Sequence, residues 1–180
     1  MARLDPHARR EALVALGRRL FSDVPYDALS IDQIATEAGV SKGLLYHYFP
    51  GKREFYVATL VDIADELTEV MGSAGTDVGL ALDRFLDFVE HNPVLYRGLM
   101  TSGIGADPEV RAVVGGVRAA AAGLLSGASG NHDPLRLAGA VGFVEAATLA
   151  WLEDRRVSRP VLREVLVDAF SRLLSPGVED

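Results

Sequence analysis

The chain has 180 residues, 49% hydrophobic and 24% charged, a globular composition that excludes a disordered, collagen-like or low-complexity chain. It has no cysteine, which excludes disulfides, thiolate nucleophiles and cysteine-based metal centres and fits a cytoplasmic address. The net charge of −7 is uneven: residues 1–56 carry 8 basic and 7 acidic side chains, and the remainder carries 10 and 18. Seven of the 13 aromatic residues also fall in the first 56, so the two parts of the chain face different partners.

The N-terminus, Met1 to His7, has no apolar run of signal-peptide length. The longest near-apolar stretch, Leu137 to Leu152, is 16 residues and contains Glu145, short of the roughly 20 that a membrane span takes, so no membrane association is expected.

Helical spacing predicts helices over 6–22, 31–38, 42–48, 52–71, 77–91, 93–101, 108–125, 134–154 and 159–174, with no strand pattern between them. Asp5-Pro6, Asn92-Pro93, Asp107-Pro108 and Asp133-Pro134 each place an Asx side chain before a proline, which is the signature of a capped helix start. The fold expected is all-α, about nine helices. Its N-terminal part, 1–51, is expected to form a three-helix domain, and 52–180 a second helical domain.

The chemistry is concentrated between Leu29 and Phe55. Ser30 and Gln33 form a capping box for a short helix, and Gly39 supplies the tight turn that ends it. Ser41 caps a second short helix, Lys42 to Tyr48, and this pair has the outline of a helix-turn-helix. Ser41 and the amides behind it suit a phosphate, and Lys42 reaches a phosphate or a base edge. Gly43 permits close backbone approach. Tyr46, His47 and Tyr48 occupy three successive positions that cannot all face one small core, whereas Leu45 and Phe49 point inward. Lys52 and Arg53 open the next helix, where cations oppose the dipole and call for a nearby anion. Further along that helix, Asp62, Asp65, Glu66 and Glu69 form a solvated face.

The run from Leu29 to Phe55 resembles the DNA-binding domain of TetR-family transcriptional regulators. Ile34-Ala35, Ala38-Gly39-Val40-Ser41, Leu45-Tyr46, Phe49 and Lys52 stand in that family's order and spacing. The resemblance covers about the first third of the chain. One departure is Val24-Pro25-Tyr26, where the family usually has a glycine before the aromatic residue. The resemblance implies that Lys42, Gly43, Tyr46, His47 and Tyr48 are recognition-helix contacts. Tyr46 would hold a phosphate, and Lys42, His47 and Tyr48 would be the candidates for reading bases. It places Lys52 on a phosphate and Ser30 near the DNA backbone. The partner implied is a double-stranded, two-fold symmetric operator.

For the second domain the resemblance implies a pocket for a small apolar or amphipathic ligand and a homodimer surface. Phe85, Phe88, Tyr96, Met100, Phe143, Ala147 and Trp151 are the pocket candidates, or else ordinary core. Arg97 and Glu145 stand in apolar company: they point into the pocket, pair with each other, or reach solvent. The last two helices supply the dimer candidates Ala138, Val141, Gly142, Leu149, Leu162, Val165, Leu166, Ala169 and Leu173. The Gly-x-Gly between Thr101 and Asp107 lacks the third glycine of a dinucleotide site and reads as a turn.

The function expected is a dimeric repressor released from its operator by a ligand. The alternative is a DNA-binding regulator controlled by a protein partner, or uncontrolled. His7, His47, His91 and His132 form no metal spacing, and no catalytic or phosphate-loop pattern occurs, so no enzyme activity, metal or cofactor is expected.

Overall fold

The computed structural model of the chain describes residues 5–101 and 107–174. The Gly-x-Gly turn lies outside these. Among the described residues all regular structure is helical: α1 (Pro6–Asp23), α2 (Ile31–Glu37), α3 (Lys42–Tyr48), α4 (Lys52–Gly72), α5 (Val78–His91), α6 (Pro93–Thr101), α7 (Pro108–Ser129), α8 (Pro134–Glu153) and α9 (Arg159–Leu174), with a single 3-10 turn at Tyr26–Ala28. That turn follows Pro25, whose φ of −59° starts it and whose carbonyl accepts from the Ala28 amide at 3.0 Å. Proline thus makes the bend where a glycine was expected. Helix α7 runs to Ser129 rather than 125, because its stop is Gly130, in the left-handed region at φ 68°. Asp133 caps α8 through the Leu135 and Arg136 amides, and Asp107 accepts from the Glu109 amide at 2.9 Å; Asp5 makes no side-chain cap bond.

The chain folds as two compact units. One comprises Met1–Asp65 with Asn92–Val113, and the other comprises Glu66–His91 with Val114–Asp180. The boundary expected between residues 51 and 52 therefore falls inside the first unit, because α4 begins as part of that unit's core.

In the first unit α1 crosses α4 at Gly17, where any Cβ would collide with the Thr59 side chain and meet the Phe55 ring at 3.0 Å. The missing side chain lets the two helices close on an aromatic cluster. Phe21 stands 6.0 Å from Phe55 and 4.8 Å from Tyr56, and Phe49 stands 5.1 Å from Phe55. The Phe21–Tyr56 and Phe49–Phe55 pairs are edge-on, and such pairs add about 0.5–1.5 kcal/mol each beyond the area they bury. Ile34 and Leu45, one from each short helix, are fully buried in the same unit.

In the second unit Leu82, Leu86 and Val89 of α5, Leu137 and Ala140 of α8, and Leu162 and Leu166 of α9 are buried. Trp151 donates its indole N–H to the Val157 carbonyl at 2.8 Å, fixing the α8–α9 turn. Arg163 holds Asp83 through both carboxylate oxygens, and Arg159 bonds the Asp83 carbonyl and Glu90, each at 3.0 Å, tying α9 to α5.

By length and composition α7 and α8 are long and apolar enough to cross a membrane. The contiguous run Leu137 to Leu152 concealed this, since α8 extends beyond it at both ends and α7 reaches its hydropathy through alanine, valine and leucine interspersed with glycine.

Candidate nucleic-acid interface

The geometry begins with two caps. Ser30 Oγ accepts from the Gln33 amide at 3.2 Å, and Gln33 Oε1 accepts from the Ser30 amide at 2.8 Å. This closes the capping box at the start of α2. After α2, Gly39 adopts φ 63°, in the region that favours glycine, and reverses the chain. Ser41 Oγ then accepts from the Leu44 amide at 3.1 Å and starts α3. Serine at both caps thus satisfies backbone donors first, and each hydroxyl remains at an exposed residue.

Helix α3 is held from beneath by Leu45 and, just past its end, Phe49, which are 0% and 1% exposed. Its outer positions are Lys42, Gly43, Tyr46 and His47, all exposed, with Tyr46 at 43%. Tyr48 is half-buried and meets His47 edge-on at 5.2 Å. The structure thus brings Ser41, Lys42, Gly43, Tyr46 and His47 to one accessible surface and sets Tyr48 at its margin. Lys42 Nζ lies 2.7 Å from Asp32 Oδ1, and that hydrogen bond raises the lysine's pKa, so it is fully charged near neutrality. A phosphate would replace one exposed anion with another, a small cost in high dielectric.

Lys52 is placed differently from its expected role. Its ammonium donates to the Leu29 carbonyl at 2.8 Å and sits 4.0 Å from the centre of the Tyr26 ring. It braces the start of α4 against the segment leading into α2. Arg53 finds the anion that its position demanded in the protein itself. It contacts Asp107 at 2.6 Å and Glu109 and Glu54 at 3.1 Å. The Arg53 guanidinium holds the Asp107 carboxyl below the ordinary range. The sequence signals only the capping role of Asp107, since a contact 54 residues away leaves no local mark.

The pocket candidates divide between the units. Tyr96, buried, and Arg97 and Met100, half-buried, belong to the first. Phe85, Phe88 and Trp151, buried, belong to the second with half-buried Ala147 and Glu145. Phe143 is 39% exposed on the outside of α8. Positions four apart rotate by about 40° per step, so 143, 147 and 151 pass from surface to core instead of sharing one face. Glu145 pairs with Arg118, Nε to Oε2 at 2.8 Å and Nη2 to Oε1 at 2.6 Å, rather than with Arg97. This pair lies in an open groove of about 630 Å³ between α7 and α8, with Ala119, Ala122, Ala138 and Gly142 on its walls.

Among the dimer candidates, Leu162 and Leu166 are buried within the second unit, 5% and 0% exposed, because they form the inner stripe of α9. Val141, Leu149, Ala169 and Leu173 are half-buried, whereas Ala138, Gly142 and Val165 are exposed. Leu135, Val157 and Val161 are exposed as well, and no local pattern in the sequence sets them apart from the core positions.

A helix-turn-helix with an accessible second helix, in a chain whose described residues form no regular structure but helix, is the architecture of DNA-binding regulators of transcription. A family model described as "Bacterial regulatory proteins, tetR family" matches residues 13–59. Another, "Tetracyclin repressor-like, C-terminal domain", matches residues 75–173. The chain belongs to the TetR family of transcriptional regulators. A TetR-family regulator from Streptomyces coelicolor has a similar structure, with TM-score 0.84 and 31% identity over 94% of this chain and 82% of that one. The chain is 35% identical to the transcriptional activator FasR of Mycolicibacterium smegmatis over 62% of its own length and 54% of FasR. It is 36% identical to the transcriptional repressor KstR2 of the same species, over 34% of its length and 30% of KstR2. The matches thus span about half or less of these curated relatives.

Proposed function

We propose that the chain is a homodimeric, cytoplasmic repressor that binds a two-fold symmetric operator and is released from it by a small apolar or amphipathic ligand. The observation that carries the DNA role is the exposed surface of α3, with Lys42, Tyr46 and His47 around Gly43 and two buried anchors beneath. Residues 1–51 supply that surface. Residues 52–180 supply dimerisation and ligand control.

Support for a dimer comes from the outer faces of α8 and α9. Leu135 is 81% exposed, Phe143 39%, Val161 47% and Val165 46%, with Ala138, Gly139 and Gly142 allowing close approach. An apolar, small-residue surface of this kind suits a second copy in two-fold symmetry. It also accounts for the membrane-like hydropathy of α8. Support for a ligand comes from Thr148, which is fully buried in α8 and whose Oγ1, among the described residues, has no hydrogen-bond partner. A hydroxyl in that position calls for a guest or a water. FasR is a transcriptional activator by name, which favours a second reading, in which the bound protein activates transcription.

The test is binding across a salt series to DNA from upstream of the protein's own gene, against a scrambled control. A specific complex that weakens steeply with salt supports the reading, since each neutralised phosphate contributes about −0.9 to the log–log slope. No binding to either DNA at low salt defeats it. A reporter driven by that DNA then separates repression from activation.

A further inference from the structure

A cleft of about 520 Å³ lies within the first unit, walled by the end of α1, the 3-10 turn, α4 and α6. Phe21, Tyr26 and Tyr56 line it, with the Tyr26 and Tyr56 rings 4.8 Å apart. Arg97 and Gly98 line the α6 side. A Cβ at residue 98 would stand 2.7 Å from Tyr56 Oη, so the glycine is what allows the phenol its place.

Two polar groups in this cleft, Arg97 and Tyr56, are donors with capacity left for an acceptor. Arg97 uses Nε on the Pro93 carbonyl at 3.3 Å, and among the described residues it enters no ion pair. Tyr56 is 4% exposed, and among the described residues its hydroxyl has no hydrogen-bond partner. Burial pushes the Tyr56 phenol up to about 12, so it keeps its proton and donates. A guanidinium and a neutral phenol beside flat apolar walls match a carboxylate on an aromatic body. Asp27, exposed, also lines the cleft and disfavours a second negative charge on the guest.

We propose that this cleft is a binding site for a small aromatic monocarboxylate, with Arg97 and Tyr56 taking the carboxylate and Phe21 and Tyr26 the ring. The site lies within the first unit, whereas Thr148 belongs to the second. Tyr26 also carries the Lys52 ammonium on its ring, and Lys52 bonds Leu29 immediately before the α2 cap. A guest that moves Tyr26 therefore bears on the segment entering the helix-turn-helix.

The experiment is titration of the full chain with 2-naphthoate, followed through backbone amide NMR shifts, with 2-naphthylmethanol as the uncharged control. The expected result is saturable shifts centred on Tyr26, Tyr56 and Gly98. Affinity should fall about tenfold for the alcohol and for Arg97→Gln, the loss expected for a hydrogen bond to a charged group. Tyr56→Phe, which keeps the ring, should weaken binding by a smaller factor, and it is the deciding variant if Arg97→Gln unfolds. Shifts confined to α7 and α8, no shifts, equal affinity for the alcohol, or undiminished binding by both variants would each overturn the proposal. The readout is ligand binding alone, so it stands or falls separately from operator recognition.

Discussion

Arg53 grips Asp107 through both carboxylate oxygens, Nε to Oδ2 at 2.6 Å and Nη2 to Oδ1 at 2.8 Å. The same carboxylate receives the Glu109 amide at the start of α7. One side chain therefore caps a helix and anchors the first turn of α4, four residues beyond the end of α3. Because Arg53 holds the Asp107 pKa below its ordinary value, the contribution to stability is fully present above about pH 4. It is lost as pH falls through the lowered pKa. Asp107→Asn should lower the thermal midpoint at pH 7 and flatten its acid dependence. Unfolding by circular dichroism across pH checks both.

Lys42 and Lys52 should behave oppositely despite their similar chemistry. Lys42 is exposed on α3, so Lys42→Ala should lower the salt slope of operator binding by about 0.9 with little change in stability. Lys52 is turned onto Leu29 and Tyr26, so Lys52→Met should leave the slope unchanged and lower the unfolding midpoint. Fluorescence anisotropy at several salt concentrations, with denaturation of each variant, separates the roles.

Thr148→Val should stabilise the protein by about 1 kcal/mol, because it replaces an unsatisfied buried hydroxyl with a methyl group of the same shape. The same variant should respond less to any ligand that hydrogen-bonds in the second unit. Chemical denaturation of the purified, ligand-free protein measures the first effect.

Phe143→Glu places a charge on the exposed face of α8. It should convert dimer to monomer while keeping helix content, as read by analytical ultracentrifugation and circular dichroism. Leu166→Glu, on the buried stripe of the neighbouring helix, should unfold the second unit instead.

The amino-acid sequence by itself determined the helices and the exposed surface of α3 proposed for recognition, because both rest on local interactions. A capping box spans four residues, an Asx-Pro start spans two, and the inward pair Leu45 and Phe49 is separated by one helical turn. The exposure of Lys42, Tyr46 and His47 follows from that same turn. Tertiary structure decided which partner each charge takes. Arg53 meets Asp107 across 54 residues, Arg118 meets Glu145 across 27, and Lys52 meets Leu29 across 23, none of which sequence spacing encodes. It also decided which apolar stripe of α9 faces inward, since Leu162 and Val165 have similar hydrophobicity. Only packing against α5 and α8 assigns one to the core and leaves the other on the surface.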